Sequence, residues 1–124
     1  MIAVDSNVLI LSLKGAEDPA VSLMREALAD DRIVLPPPVV TEVLSFVGAA
    51  GIAAVIESYR RLPLDVGFWE RAAETRRRVL SLGLRARLGD ALIAQCCIDS
   101  DVSLITKDRD FRHFATHCGL KLAC

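Results

Sequence analysis

The sequence predicts an α/β fold: a three-layer α/β/α sandwich with a mostly parallel sheet of four or five strands. Two observations lead to this fold class. Short apolar runs alternate with longer helical patterns along the whole chain, which is typical of strand–helix–strand units. Hydrophobic residues make up 52% of the chain and aromatic residues 5%, so Leu, Val, Ile and Ala build the core, as in helices packed on a parallel sheet. At 124 residues the chain is expected to form one domain, spanning 1–124.

Strands are expected where the apolar runs are short. They are an opening run from Ile2 to Asp5, a run from Ile33 to Leu35, a weak run from Leu64 to Val66, an apolar β-branched run from Val102 to Thr106 and an edge run from Leu120 to Leu122. Continuous apolar runs of this kind are typical of strands that are buried on both faces.

Helices are expected between these runs, at 8–13, from 19 to about 31, from 39 to Gly48 or Gly51, at 52–62, at 68–82, from Asp90 onward and at 111–118. Asp18 before Pro19 is a capping residue followed by a favoured first helical residue, and the proline triplet 36–38 presets the next helix start. The helix that begins at Asp90 is apolar nearly all round, which indicates a buried helix. In the 68–82 helix, five side chains are expected to face the core: Trp69, Ala72, Ala73, Val79 and Leu80.

The composition narrows the class of protein. The net charge is −1, so binding of nucleic acid would require a local basic patch. The chain start lacks the features of a signal peptide, and the longest uncharged stretch, 43–56, is shorter than the roughly 20 residues that span a bilayer. We therefore expect a cytoplasmic protein without a membrane segment. The four cysteines form no CxxC pair and are expected to be buried free thiols.

Acidic residues follow the predicted strands. Asp5 ends the first strand, Glu42 lies in the helix after the second, Asp90 opens the buried helix and Asp108 follows the Val102–Thr106 strand. The carboxyl ends of parallel strands and the adjacent helix N-termini form one edge of a sheet, so we expect these carboxylates to meet there. Each acid alone has a structural alternative, as a helix cap or as a charge that complements a helix dipole.

Together, the four carboxylates indicate a cation site. Two carboxylates about 5 Å apart repel by roughly 3 kcal/mol at an effective dielectric of 20, and a cluster contains several such pairs. Shared protons or arginine can offset the repulsion, but a divalent cation does so best, and Mg²⁺ or Mn²⁺ suits an all-carboxylate site. No Cys or His accompanies these acids in their motifs, which argues against zinc.

The segments around these acids resemble the acidic motifs of PIN domains. They are AVDSNVLI at 3–10, VVTEVL at 39–44, LGDALIAQ at 88–95 and LITKDRDF at 104–111. Within that family the sequence is most similar to VapC-type toxins of toxin–antitoxin pairs. The resemblance implies a flavodoxin-like fold and a Mg²⁺- or Mn²⁺-dependent endoribonuclease that leaves 5′-phosphate and 3′-hydroxyl ends.

The resemblance also implies roles for individual residues. Carried over by position, the catalytic quartet is Asp5, Glu42, Asp90 and Asp108. Asp5, Asp90 and Asp108 would bind the metal, and the quartet would orient the attacking water.

Four neighbouring residues are candidates for supporting roles: Ser6, Asn7, Thr106 and Asp110. The Ser6 hydroxyl would hold a carboxylate, and Asn7 matches a small polar position of the family. Thr106 either bonds to the quartet or is simply a strand residue. Asp110 either contacts the metal or caps the following helix, and we favour capping.

The segment 76–87 is the most basic in the chain. Arg85 and Arg87 lie just before the buried helix and are expected to contact RNA phosphates. The run 76–78 either contacts RNA phosphates as well or forms a solvated helix face with ion pairs to Glu70 and Glu74, and the second role explains it at least as well.

The resemblance implies three partners: an RNA substrate such as tRNA or rRNA, a small VapB-type antitoxin, and a second copy of the chain in a homodimer. The apolar helices within 39–62 are candidates for the protein-binding surfaces, although ordinary core packing explains their composition equally well.

Two other functions share parts of this pattern. A PIN-like domain that binds RNA or protein without cutting it is expected to lack one or more of the acids, whereas all four motifs are complete here. A phospho-acceptor receiver domain needs paired acids after its first strand, and here Asp5 is followed by Ser6 and Asn7.

Overall fold

The computed structural model describes residues 1–46 and 51–123. The strands are β1 (Ile2–Val4), β2 (Ile33–Leu35), β3 (Arg60–Arg61) and β4 (Ser103–Ile105). The helices are α1 (Ser6–Leu13), α2 (Pro19–Ala29), α3 (Pro37–Leu44), α4 (Ala53–Ser58), α5 (Phe68–Ser81), α6 (Leu88–Asp99) and α7 (Phe111–Cys118). No helix within the described ranges is both long enough and apolar enough to cross a bilayer.

The strands form one parallel sheet in the order β3-β2-β1-β4. In the central strand β1, Ile2 pairs with Ile33 on one side and with Ser103 on the other. The chain runs outward from β1 through β2 to β3 and then returns past β2 and β1 to β4. Because crossovers between parallel strands are right-handed, this reversal puts helices on both faces of the sheet. The predicted α/β fold class is confirmed.

The same reversal creates a switch point between β1 and β4. The loops that leave the carboxyl ends of these two neighbouring strands diverge, and a crevice opens where they separate. Asp5 directly follows β1, and the segment 106–108 directly follows β4. The fold therefore brings the acids of two distant motifs to one crevice.

Helix α6 is the buried helix that its apolar sequence predicts. Ile93, Ala94, Cys96 and Cys97 are each at most 1% exposed. Burial raises the pKa of the Cys96 thiol to about 12, so this free thiol is protonated and unreactive. The helix begins at Leu88, two residues earlier than predicted, and Asp90 lies in its first turn.

The third strand lies at a different place from the predicted one. It is Arg60–Arg61, which pairs with Val34 and Leu35, and not the apolar run Leu64–Val66. Pro63 has no N–H for the ladder, and Val66 is 99% exposed. Because β3 begins at Arg60, helix α4 ends at Ser58, well before the predicted end at Leu62.

Three further expectations on elements are wrong. The edge strand 120–122 is reduced to one bridge, between Leu104 and Leu122. Helix α3, predicted to run from 39 to Gly48 or Gly51, ends at Leu44, and Gly48 itself lies outside the described residues.

In α5, three side chains that were predicted to face the core are exposed. Trp69 and Leu80 are 60% and 45% exposed, and Ala73 is also exposed.

Candidate active site

Asp5 forms the floor of the crevice and is 6% exposed. Its Oδ1 accepts a hydrogen bond from the Ser6 backbone N–H at 2.7 Å, and its Oδ2 accepts one from the Thr106 hydroxyl at 2.8 Å. Burial raises the pKa of Asp5, the two hydrogen bonds oppose that rise, and the charges of Glu42 and Asp108 add to it. Thr106 thus links the end of β4 to the end of β1.

Glu42 reaches the site from helix α3. Its Oε1 accepts a hydrogen bond from the Ser6 hydroxyl at 2.6 Å. Its Oε2 lies 3.6 Å from the point that a Cβ would occupy at Gly89, so the carboxylate sits against the first turn of α6. Ser6 therefore contacts two acids, Asp5 through its backbone and Glu42 through its side chain. Asn7, by contrast, is exposed.

Asp90, Asp108 and Asp110 form the tightest group of acids. Each offers one carboxylate oxygen, and these oxygens lie within 4.8 Å of one another. The loop that carries two of them is held from within: the Asp108 N–H donates to the Thr106 hydroxyl oxygen at 3.1 Å, and the Asp110 N–H donates to the Asp108 Oδ1 at 2.9 Å. Asp5 stands outside this group but close enough for its charge to act on Asp90.

Asp90 has an unusual environment. Its Oδ2 is buried and has no hydrogen-bond partner in the part of the chain that the structure describes. Burial, followed by the charges of Asp108, Asp5 and Glu42, raises the pKa of Asp90 to about 7, while the nearby Arg87 lowers it. A buried carboxylate oxygen without a partner is costly in a folded protein.

The arrangement fits a hard divalent cation. The donors are all carboxylate oxygens, the ligand type that Mg²⁺ and Mn²⁺ prefer, and they converge without a histidine or thiol among them. A cation there would offset the mutual repulsion of the acids and compensate the buried Asp90 carboxylate, whose Oδ2 has no hydrogen-bond partner among the described residues.

Asp110 does not act as the predicted side-chain cap. It occupies the cap position of α7, but its carboxylate makes no capping hydrogen bond. The carboxylate lies instead with those of Asp90 and Asp108, and its Oδ2 is 3.6 Å from the Arg85 Nε. Of the two roles left open by the sequence, capping is therefore wrong.

Basic side chains border the acids on one side. Arg85 and Arg87 are both exposed, on the loop that precedes α6. Arg85 pairs with Asp110, and Arg87 occupies the cap position of α6. Lys107 points elsewhere and forms an ion pair with Asp18, the capping residue of α2.

The sequence model of the PIN domain family matches residues 2–116, nearly the whole chain. The chain belongs to the PIN domain family. No curated protein matches it closely enough to count as a relative. Its fold is similar to that of a chain in the crystal structure of VapBC2 from Rickettsia felis bound to a DNA fragment from their promoter, with 18% identity, a TM-score of 0.73 and coverage of 98% and 97% of the two chains. It is also similar to a chain in the structure of FitAB bound to the IR36 DNA fragment, with 19% identity, a TM-score of 0.75 and coverage of 98% and 93%.

This PIN domain contains one site contact that the sequence pattern did not indicate. Arg76, expected either at RNA phosphates or on a solvated face, donates from its Nε to the Ala86 carbonyl oxygen at 2.8 Å. Hydrophobic periodicity predicts which face of a helix is exposed but not which backbone group a long side chain will reach. Only Arg77 of that run pairs as predicted, with Glu74 of its own helix at 3.8 Å.

Proposed function

We propose that this PIN domain is a Mg²⁺- or Mn²⁺-dependent endoribonuclease and the toxin component of a toxin–antitoxin pair. One observation carries the nuclease proposal: the buried Asp90 Oδ2 has no hydrogen-bond partner among the described residues, and Asp90 lies in a group of acids bordered by exposed arginines. Without a cation, this arrangement lowers the stability of the folded protein. A bound cation would offset that cost.

We assign the cation to Asp90, Asp108 and Asp110, whose oxygens already converge. When bound, a divalent cation lowers the pKa of a water ligand and withdraws charge from phosphoryl oxygens, which prepares both for hydrolysis of a phosphodiester. Asp5 adds negative charge from the floor of the site and remains a candidate ligand, because each of its oxygens keeps a second lone pair.

Glu42 is the candidate for orienting the attacking water. Its Oε1 is fixed by the Ser6 hydroxyl, while its Oε2 faces the first turn of α6 beside Asp90. A carboxylate that is held at one oxygen can accept a proton or a hydrogen bond from water at a defined position. No side-chain nucleophile is required. The resemblance to VapC-type toxins implies products with 5′-phosphate and 3′-hydroxyl ends, which fits attack by water.

The proposed substrate is RNA. The resemblance to VapC-type toxins favours tRNA or rRNA. Arg85 and Arg87 support a polyanionic substrate because both are exposed at the border of the acids. Their positions allow the substrate backbone to be held beside the cation.

The proposed protein partners are a VapB-type antitoxin and a second copy of the chain. An exposed apolar surface supports contact with protein: Trp69 is 60% exposed and Leu88 is 61% exposed. These two side chains line a groove of about 370 Å³ that also includes Glu42 and continues along α5 into a larger groove of about 630 Å³. An apolar surface of this kind is typical of protein interfaces.

The nuclease proposal is tested by incubating a total tRNA and rRNA pool with the purified chain. The reactions contain Mn²⁺ or EDTA, and they compare the wild type with Asp90→Asn and with Glu26→Gln. Glu26 is exposed on α2, so its substitution removes one negative charge outside the acidic site. We expect metal-dependent cutting by the wild type and by Glu26→Gln, and none by Asp90→Asn.

Mapping the ends of the fragments would then identify the substrate and the bond. Identical bands from all three proteins would mean that a contaminating nuclease cuts the RNA. Folded, metal-loaded protein that cuts nothing would contradict the proposal and favour the non-catalytic RNA- or protein-binding alternative.

A further inference from the structure

The loop from 84 to 87 between α5 and α6 alternates buried and exposed side chains. Leu84 packs against the core and Ala86 is 3% exposed, whereas Arg85 and Arg87 are exposed. Arg85 precedes Ala86 in the sequence and Arg87 follows it. The orientation of the Ala86 backbone therefore affects the direction of both arginine side chains.

Arg76 fixes this backbone from the neighbouring helix. Its Nε donates to the Ala86 carbonyl oxygen at 2.8 Å, and its side chain is half-buried in the position that makes this contact. Arg77 and Arg78, its neighbours in the run, are exposed. The three consecutive arginines are therefore not equivalent, and only Arg76 bonds to the loop that borders the acids.

We propose that Arg76 is a positioning residue for RNA binding, which acts through Arg85 and Arg87 and does not itself contact the substrate. This inference rests on the proposed nuclease function. The Arg85 Nε lies 3.6 Å from the Asp110 carboxylate, and Arg87 lies close enough to Asp90 for its charge to lower the pKa of that residue, so both arginines lie beside the acids. Without the Arg76 bond, a buried carbonyl would lose its partner and the peptide would turn to find another.

Two substitutions separate the hydrogen bond of Arg76 from its charge. In Arg76→Gln the side-chain amide nitrogen is separated from Cα by the same number of atoms as the arginine Nε, so it can donate to the Ala86 carbonyl without carrying a charge. In Arg76→Lys the charge is kept, but a methylene replaces the donor at that position. Arg77→Ala is the matched control, since it removes one charge from the same helix turn.

The measurement is the fluorescence anisotropy of a labelled, mixed-sequence, single-stranded RNA titrated with each protein in EDTA, so that nothing is cut. We expect Arg76→Gln and Arg77→Ala to bind within about twofold of the wild type, and Arg76→Lys to bind about five- to tenfold more weakly. Arg76→Lys should also reduce the salt dependence of binding by roughly the contribution of one or two phosphates. Thermal melting by circular dichroism confirms that each variant is folded.

A double-mutant cycle provides the second test. In the background Arg85→Ala with Arg87→Ala, the further change Arg76→Lys should not weaken binding, because the side chains through which Arg76 acts are gone. If Arg76→Lys binds as well as the wild type while Arg76→Gln is weakened, Arg76 contacts phosphate directly and the inference is wrong. The inference is also wrong if Arg76→Lys weakens RNA binding in the Arg85→Ala, Arg87→Ala background by the same factor as in the wild type.

These outcomes are separable from failure of the nuclease proposal. If the wild type binds and cuts RNA and Arg76→Lys does so equally well, only the positioning role of Arg76 is wrong. A wild-type protein that neither binds nor cuts RNA removes the proposed function and the inference with it.

Discussion

Replacing Asp90 by Asn should stabilise the metal-free protein at alkaline pH. The Asp90 carboxylate is surrounded by other acids, and its buried Oδ2 has no hydrogen-bond partner among the described residues. Asn removes the negative charge and keeps nearly the same shape. The same substitution should abolish cleavage, so stability and activity are expected to change in opposite directions.

The pKa of Asp90 determines both the size and the sign of the effect. In the folded protein the pKa is raised from 3.8 to about 7, mainly by burial. The folded state therefore holds a proton that the unfolded chain releases, and stability falls as the pH rises from about 4 to about 7 and stays low above that. For a fully buried group this difference would be about 4 kcal/mol. Because Asp90 is partly exposed, solvent screening reduces our expectation to about 2 kcal/mol.

The assay is thermal unfolding of the wild type and Asp90→Asn in EDTA at pH 4.5 and pH 8.5. At pH 8.5 the variant should melt about 8 °C higher, whereas at pH 4.5 the two proteins should nearly coincide. Addition of Mg²⁺ at pH 8.5 should then raise the melting temperature of the wild type and close the gap, because the cation binds the ionised site. Glu26→Gln controls for the loss of one charge and should follow the wild type.

Two results would refute this reasoning. If Asp90→Asn is no more stable than the wild type at pH 8.5 in EDTA, Asp90 is not held in a costly ionised state. If the variant is more stable by the same amount at both pH values, the gain does not come from ionisation of Asp90.

Two further predictions follow from side chains around the site. Thr106→Val removes the hydroxyl that donates to buried Asp5, so it should lower the free energy of unfolding by about 2 kcal/mol in urea titrations. The control Thr116→Val, at an exposed position of α7, should change the free energy of unfolding by no more than about 0.5 kcal/mol. An unchanged urea midpoint for Thr106→Val would contradict the role given to this bond. Trp69→Ser should convert the proposed dimer to a monomer in light scattering, with little loss of monomer stability, because the side chain is 60% exposed. A dimer that survives the substitution would place the interface elsewhere.

The sequence was sufficient to place the acids because their positions depend on strong local signals. β1 and β2 are uninterrupted apolar runs, β4 is apolar except for Ser103, and the carboxyl ends of parallel strands must share an edge. The third strand carried no such signal. It is two exposed arginines at a sheet edge, whereas the nearby apolar run 64–66 follows Pro63 and cannot pair in the same way.

The contacts that define the site depend on side-chain direction, which the sequence pattern does not encode. Asp110 lies at a helix start, where capping is the ordinary role of an acid, yet its carboxylate lies with those of Asp90 and Asp108. Arg76 belongs to a run of three arginines on an amphipathic helix, and only the course of the following loop makes one of them different.

The surroundings of the acids show which carboxylate depends most on a ligand. Asp5 is the most buried of them, yet both of its oxygens accept hydrogen bonds, from Ser6 and Thr106, which offset part of the cost of burying its charge. Asp90 has no comparable support for its Oδ2. A cost of about 2 kcal/mol is large against a total stability of roughly 5–15 kcal/mol, and an uncharged residue of the same shape would avoid it. The presence of an ionisable group at this position is therefore better explained by a bound cation than by folding.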